Sequence, residues 1–410
     1  MSRTVLIIEP YATGHRVEHV RHIVTALADD PSLRFRLMMT SFSLDHPSAK
    51  ALLEDFAGRI EPDPVVLDYG RARMFRALGG YAHEQAVLAA MVAERAAALV
   101  RAGDLALAIL PLMENIGLVQ IALRPRLFAG APWLCVSQNL RFQLAGRVPG
   151  VTRTWRDRIE AALLRRVLAQ RDLVGFFTIM PLVDEAVGSP KVTYVPDPAE
   201  PPPAMTRGAA RAALGLDPDA IVLLVFGTID RRKCLAEIVP AVLAAGAPMP
   251  VTLLLAGMQR PTDVGAILAG PEAASLRAAG RLVELNRFVS ASEADACFAA
   301  ADVVSVYYEP GFVRSSGVLT RAAQAGKPVI ARKVGLIAWF VEQHRIGLLP
   351  NGMDAVTKAI ARLARDPVGR AAMGERARAA FAEFTPAAFA APIAACAKQV
   401  LAAAAPGRGR

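Results

Sequence analysis

The chain has 410 residues, 54% of them hydrophobic and 20% charged, which supplies more than one substantial core and excludes disordered, collagen-like and disulfide-stapled classes. Mean hydropathy is +0.34, yet charge or Pro-Gly interrupts every long apolar stretch before the roughly 20 residues that span a bilayer, so a soluble protein is expected. A net charge of +10 and a pI near 9.8 favour anionic partners such as nucleotides, nucleic acid or an anionic membrane face. Arginine outnumbers lysine by 40 to 7 in an Ala-rich chain, so part of that basicity reads as coding bias.

The first predicted element is the apolar run at 4–8, which meets Glu9 too soon to be a signal-peptide core. It is followed by a helix with Val17, Val20, Val24 and Leu27 at helical spacing and Arg16, Glu18 and Arg21 between them. Between strand and helix lies Pro10-Tyr11-Ala12-Thr13-Gly14-His15-Arg16, where Gly14 lets backbone approach a ligand and helix-start amides favour anions. No GxGxxG is present, so a dinucleotide fingerprint is absent.

Further strand-length runs at 106–112, 132–137 and 174–179 alternate with helical periods, the pattern of a parallel sheet with crossover helices. At 194–203 the chain reads YVPDPAEPPP, where repeated proline removes amide donors and fixes φ. This is the expected linker. The alternation then restarts with apolar runs at 220–226, 251–257, 282–288, 302–308 and 328–331, and an Ala-rich helix closes the chain. The reading is α/β, with two doubly wound Rossmann-like domains facing across a cleft. Its boundaries are a first domain over 1–195, a linker over 196–204, a second domain over 205–385 and a C-terminal helix over 386–404. Ligands of such sheets bind beyond the carboxyl ends of the strands.

Two constellations lie beyond strands of the second domain. Phe226-Gly227-Thr228-Ile229-Asp230-Arg231-Arg232-Lys233 places three cations after a strand, where an arginine fork and a lysine point charge suit a diphosphate. Tyr307 to Leu319 contains Glu309, which can accept from sugar hydroxyls, and Ser315, Ser316 and Gly317. Either serine can cap the following helix, whose free amides suit phosphate. The cysteines Cys135, Cys234, Cys297 and Cys396 are far apart, so neither a zinc nor a redox motif is formed and a reducing cytoplasm fits.

The segments FGTIDRRK, LNRFVSASEADACFAAADVVSVYYEPGF and SSGVLTRAAQAGKPVIARKVGLIAWFVEQHRIGLL, spanning Phe226 to Pro350, together resemble the C-terminal donor domain of GT-B glycosyltransferases of family 4 (group 1). The opening PYATGHRVEHVRHIVTAL resembles the same family's acceptor domain more weakly. The resemblance implies retaining transfer from a nucleotide-diphosphate sugar without a metal. It assigns Arg232 and Lys233 to the diphosphate, and Gly14, Gly227, Arg231, Glu309, Ser315, Ser316 and Gly317 to donor binding. The acceptor, a small molecule, saccharide or lipid-linked sugar, would meet His15, Glu114 and Asn115, the last two standing where many members carry a histidine. It also implies that the last helix crosses back to the first domain.

Two departures are plain. The family's E-x7-E pair, counted back from Gly326, falls on Val313 and Arg321, and Glu309 stands four residues early. The family's arginine two places after the strand is Thr228, with Arg231 or Arg232 as substitutes. These departures keep open a non-catalytic sugar-nucleotide-binding protein or degenerate subunit, alongside an epimerase on the same scaffold. Nucleic acid is not an expected partner, because no recognition motif accompanies the pI. The expected location is the cytoplasm, with Arg71–Leu78 and the helix around Trp155 as candidates for peripheral contact at the inner membrane face.

Overall fold

The computed structural model describes residues 3–12, 16–67, 80–182, 187–202, 205–245 and 250–403. Gly14, His15 and the segment 71–78 lie outside the described residues. Two compact units are present: Met1–Gln143 with Arg153–Pro196 and Pro386–Arg410, and Leu144–Thr152 with Asp197–Thr385.

The first unit runs β1 (Arg3–Ile8), α1 (Arg16–Leu27), β2 (Leu33–Thr40), α2 (Pro47–Asp55), β3 (Ile60–Val65), α3 (Gly80–Arg101), β4 (Leu105–Leu110), α4 (Leu118–Leu123), β5 (Trp133–Ser137), α5 (Trp155–Leu168), β6 (Leu173–Thr178) and β7 (Val192–Tyr194). Its seven strands are ordered β3-β2-β1-β4-β5-β6-β7, and every pairing is parallel. The predicted face of α1 is core, with Val17, Val20, Val24 and Leu27 fully buried. The strand β3 reads IEPDPV and carries no apolar alternation. It survives two prolines because it is an edge strand, where a missing donor breaks little of the ladder.

The second unit runs α6 (Arg207–Ala213), β8 (Ile221–Phe226), α7 (Leu235–Ala245), β9 (Val251–Ala256), α8 (Pro261–Leu268), α9 (Pro271–Ala278), β10 (Leu282–Leu285), α10 (Ala291–Ala300), β11 (Val303–Val306), α11 (Gly317–Gln324), β12 (Val329–Ala331), α12 (Gly335–His344), β13 (Gly347–Leu348), α13 (Met353–Arg365) and α14 (Pro367–Ala380). Its parallel sheet is ordered β10-β9-β8-β11-β12-β13. The strands are near-continuous apolar runs such as IVLLVF and VTLLLA, as expected when helices cover both faces.

The proline-rich stretch is built into this second unit. Asp197 is buried and accepts from Ser315 Oγ at 2.9 Å, while Ala199 N donates to Phe384 O at 3.0 Å. Residues 144–152 also cluster here, with Pro149 O accepting from Gly335 N at 2.8 Å.

The last helix, α15 (Pro386–Ala403), belongs to the first unit. Phe389, Ile393, Ala397 and Leu401 are buried in that unit's core beside Val17, Val20 and Val24. Among the described residues α15 alone has the length and apolarity of a membrane span.

In both sheets the strand order reverses direction beside the first strand, between β1 and β4 and between β8 and β11. Such switch points open a crevice at the carboxyl ends of the strands. The residues that follow these four strands are therefore where chemistry is expected.

Candidate functional site

In the second unit the chain leaves β8 through Gly227 at φ 90°. The neighbouring turn after β9 comes so close that a Cβ on Gly257, itself at φ +137°, would lie 2.1 Å from Gly227 O. Asp230 then caps a single 3-10 turn over Arg231–Lys233, accepting from Arg232 N at 3.1 Å. Cys234 ends the turn in the left-handed region at φ 49°.

This geometry folds Lys233 back under the sheet edge. Its ammonium is buried, donates to Phe226 O at 2.6 Å and to Tyr308 Oη at 3.2 Å, and lies 4.6 Å from the Tyr308 ring centre. Tyr308 Oη in turn bonds Ser316 Oγ at 2.9 Å. A polar row Lys233–Tyr308–Ser316 thus joins the basic turn after β8 to the N-terminus of α11 across the switch point.

The two arginines of the turn stand differently. Arg232 is held in a fork by Asp230, with Nε at 3.0 Å and Nη2 at 2.7 Å from Oδ2, and this pairing raises its pKa further. Arg231 is exposed and faces Glu309 at 3.5 Å. Glu309 N donates to Arg232 O at 3.0 Å, so Glu309 and the basic turn are brought together.

The helix-capping role expected of the serines is not observed. Ser316 occupies the N-cap of α11 without a side-chain cap bond, because its hydroxyl is engaged by Tyr308. Ser315 Oγ is turned instead to Asp197. Gly317 is the first residue of α11. The loop before it is braced by Gly335, at φ +73°, where a Cβ would lie 2.5 Å from Val313 Cα.

Arg332, one residue past β12, is a site residue that the sequence reading passed over. Its Nε donates to Tyr308 O at 2.8 Å and its Nη2 meets Glu237 at 2.5 Å, with the guanidinium 4.1 Å from the Tyr307 ring centre. Burial works against its charge, but the bonds to Glu237 and Cys234 together with the charges of Tyr307 and Glu237 more than offset it, so its pKa is raised. The rule that found Arg231–Lys233, a cation just beyond a parallel strand, applies equally to Arg332. Arg321, in the place of the family's second glutamate, lies 5.9 Å from the Phe226 ring centre and 3.7 Å from Asp295.

The first unit has its own polar cluster at the β1/β4 switch point. Glu9, fully buried, accepts through Oε1 from Asn115 Nδ2 at 2.9 Å and Tyr11 N at 3.2 Å. Arg16 donates to Asn115 Oδ1 at 2.9 Å and lies 3.6 Å from Glu9. Burial pushes the Glu9 carboxyl up to about 7, against the opposing pull of Arg16. Its Oε2 has no hydrogen-bond partner.

Glu114 serves the end of β5, accepting through Oε1 from Ser137 Oγ at 2.8 Å, Gln138 N at 2.8 Å and Asn139 N at 2.7 Å. Burial nonetheless raises its pKa, and Oε2 is buried without a hydrogen bond. Asn115 and Glu114 therefore face different partners: Asn115 joins the Glu9–Arg16 cluster and Glu114 holds the turn after β5. His19 packs its ring 4.6 Å from that of Phe389, a structural placement.

Residues 220–366 match the family described as Glycosyl transferases group 1. D-inositol 3-phosphate glycosyltransferases are similar in sequence. That of Streptomyces avermitilis is 33% identical over 185 residues, 43% of this chain and 39% of that protein. That of Pseudarthrobacter chlorophenolicus is 34% identical over 180 residues, 42% and 41% respectively. The chain thus spans about two fifths of the length of the curated relatives it matches.

Solved structures resemble nearly the whole fold. Sucrose-phosphate synthase from Thermosynechococcus elongatus matches with a TM-score of 0.68 at 19% identity, over 98% of this chain and 100% of that one. Anabaena HepE in complex with UDP-glucose matches with a TM-score of 0.64 at 17% identity, over 97% and 99%. The chain therefore has the GT-B fold, and its residues 220–366 match the group 1 glycosyltransferase family.

Proposed function

We propose that the chain is a glycosyltransferase that moves a sugar from a nucleotide-diphosphate sugar to a hydroxyl acceptor with retention of configuration. The observation that carries this reading is the Lys233–Tyr308–Ser316 row at the β8/β11 switch point, within the stretch that matches group 1 glycosyltransferases. Lys233, Arg232 and the exposed Arg231 would neutralise the diphosphate, with Gly227, Ser315, Ser316 and Gly317 lining the donor and Glu309 accepting from the sugar. The similar structure of Anabaena HepE is in complex with UDP in one case and with UDP-glucose in another.

In retaining transfer the acceptor attacks the face from which the nucleotide leaves, and the departing phosphate oxygen takes the acceptor proton. Cations preset around the developing diphosphate charge then supply electrostatic stabilisation without a dedicated protein base. This reading calls for no metal, because the arginine and lysine charges occupy that role. Asn115, with Glu9 and Arg16 behind it, and Glu114 would meet the acceptor in the first unit.

Peripheral membrane contact is part of the proposal. Trp155 and Ile159 on α5 are exposed at 66% and 50%, and Val119 and Leu123 on the neighbouring α4 at 48% and 60%, with Arg156 and Arg158 exposed among them. Apolar side chains set among arginines suit an anionic bilayer. A second reading, sugar-nucleotide binding without turnover, is favoured by Arg321 standing in place of a carboxylate and by Asp230 occupying the fork of Arg232.

The deciding experiment is calorimetric binding over a panel of nucleoside diphosphates and their sugars, followed by transfer assays with the donor that binds. Binding lost in Lys233→Ala together with turnover supports the transferase. Binding without turnover for every acceptor tried supports the second reading, and no binding at all overturns both.

A further inference from the structure

The second unit holds a cavity of about 290 Å³ that has nothing to do with the donor edge. It lies at the opposite, amino-terminal edge of the sheet: Lys327 precedes β12, whereas Lys233 and Tyr308 follow β8 and β11. Its charged lining is Arg207, Lys327 and Arg378 against the single carboxylate Asp295, and Asp295 is itself 3.7 Å from Arg321.

The cations are held there by the fold. Gly326 sits at φ +64°, and a Cβ on it would lie 2.2 Å from Arg378 Nη2. A Cβ on Gly374 would lie 2.1 Å from Gly326 O. Only glycine at both places lets α14 approach closely enough to lay Arg378 over the cavity wall, while Glu375 holds the other end of that guanidinium at 2.6 Å. Arg207 is fixed by Asp302 at 3.1 Å. Lys327 donates to Ala299 O at 3.0 Å and Ala301 O at 2.8 Å.

The positive charge is in surplus. Burial, joined by Arg207, Arg211 and Arg378 and opposed by Asp302, brings the Lys327 ammonium down to about 8. An anion in the cavity would relieve that repulsion. The remaining wall contains Pro202, Met205 and Ala325, which suits a short carbon skeleton, and the volume lies at the lower end of the ~300–1,000 Å³ of small-ligand pockets.

The cavity wall also reaches residues beside two of the four places where the chain passes from one compact unit to the other, 196/197 and 385/386. Gln324, a lining residue, donates through Nε2 to Phe384 O at 2.8 Å and to Ala199 O at 3.3 Å. A ligand here would press on the residues that anchor both crossings.

We propose that this cavity binds a small multiply charged anion with a short carbon skeleton, a phosphomonoester or polycarboxylate, at a regulatory site separate from the donor site. The test uses the full chain with glycerol 3-phosphate, citrate and inorganic phosphate as probes, read by calorimetry and by thermal unfolding. Saturable binding of glycerol 3-phosphate or citrate is expected, and the stronger of the two names the ligand class. Binding should weaken by about tenfold or more in Arg378→Gln, in keeping with loss of one charge-assisted contact. Lys327→Met should do the same; because Lys327 also caps α10, the Arg378 variant carries the test if the former fails to fold.

Arg231→Ala, at the donor edge, should leave probe affinity unchanged. Equal affinity in Arg378→Gln and the native chain would overturn the proposal, as would saturation by inorganic phosphate alone at the same affinity. So would competitive displacement of the probe by UDP together with loss of both in Lys233→Ala, since the anion would then sit at the donor edge. No saturable binding of any probe would also overturn it.

Discussion

The ammonium of Lys233 and the carbonyl of Phe226, seven positions apart in the chain, close a loop at 2.6 Å, so the turn after β8 is tied to the strand it leaves by its own last cation. The charge at the bottom of the turn is therefore preset before any ligand arrives. Lys233→Ala removes it and takes the ammonium donor away from Phe226 O and Tyr308 Oη. Nucleoside diphosphate affinity should fall by at least about tenfold, and kcat/KM by more, since each 1.4 kcal/mol is about tenfold. Calorimetry with steady-state kinetics checks this. An unchanged affinity would remove Lys233 from the donor site.

Asp230 competes with any diphosphate for Arg232. Asp230→Asn keeps an acceptor for the Arg232 amide but deletes the charge that clasps the guanidinium. Nucleoside diphosphate binding should tighten several-fold, with a steeper dependence on salt as the arginine becomes available. Weaker or equal binding across a salt series would show that Arg232 does not grip the ligand.

Glu9 should leave a mark on the pH dependence of stability. Its pKa is raised to about 7 from 4.5 by burial, so the folded chain holds this proton more tightly than the unfolded one. The stability that Glu9 contributes is full below about pH 4.5 and is lost as pH rises through about 7, on the order of 3 kcal/mol across that window. Glu9→Gln keeps the uncharged shape. The difference in unfolding free energy between variant and native chain should therefore grow from pH 5 to pH 8 in denaturant titrations. A difference that stays flat would place the Glu9 titration elsewhere.

Gly257 and Gly280 separate contact from conformational strain. Both have positive φ, +137° and +65°, but a Cβ on Gly257 would strike Gly227 O while one on Gly280 meets nothing within 4 Å. Gly280→Ala should cost about 1 kcal/mol from backbone strain alone. Gly257→Ala should cost clearly more and also weaken donor binding, because the clash displaces the turn that carries the cations. Paired denaturant curves and a binding titration check both.

Much of this architecture is legible in the sequence because buried parallel strands are apolar throughout and need no long-range information to be seen. The runs that became β1, β4, β5, β6, β8 and β9 and the inner face of α1 are of this kind. The strand β3 was not legible, since IEPDPV is tolerated only by its edge position. The basic turn, Glu309 and Ser316 were visible as residue types at a strand end. Their partners were not: Asp230 on Arg232, Tyr308 between Lys233 and Ser316, and Asp197 on Ser315 depend on the packing of loops from different strands. Glu9 looks in the sequence like an ordinary charge ending an apolar run, and only its complete burial beside Asn115 gives it chemical interest.

The membership of α15 in the first unit has a consequence for synthesis. The core built around Val17, Val20 and Val24 is closed by Phe389, Ile393 and Leu401, which emerge from the ribosome only after residues 197–385 have been made. At about 5–20 residues per second that interval is on the order of ten to forty seconds. During it the earliest-made sheet stands with one apolar flank open while the later-made unit can already complete itself. The growing chain is most exposed to chaperones, and to premature association with its neighbours on the same message, on the face that its last helix will cover.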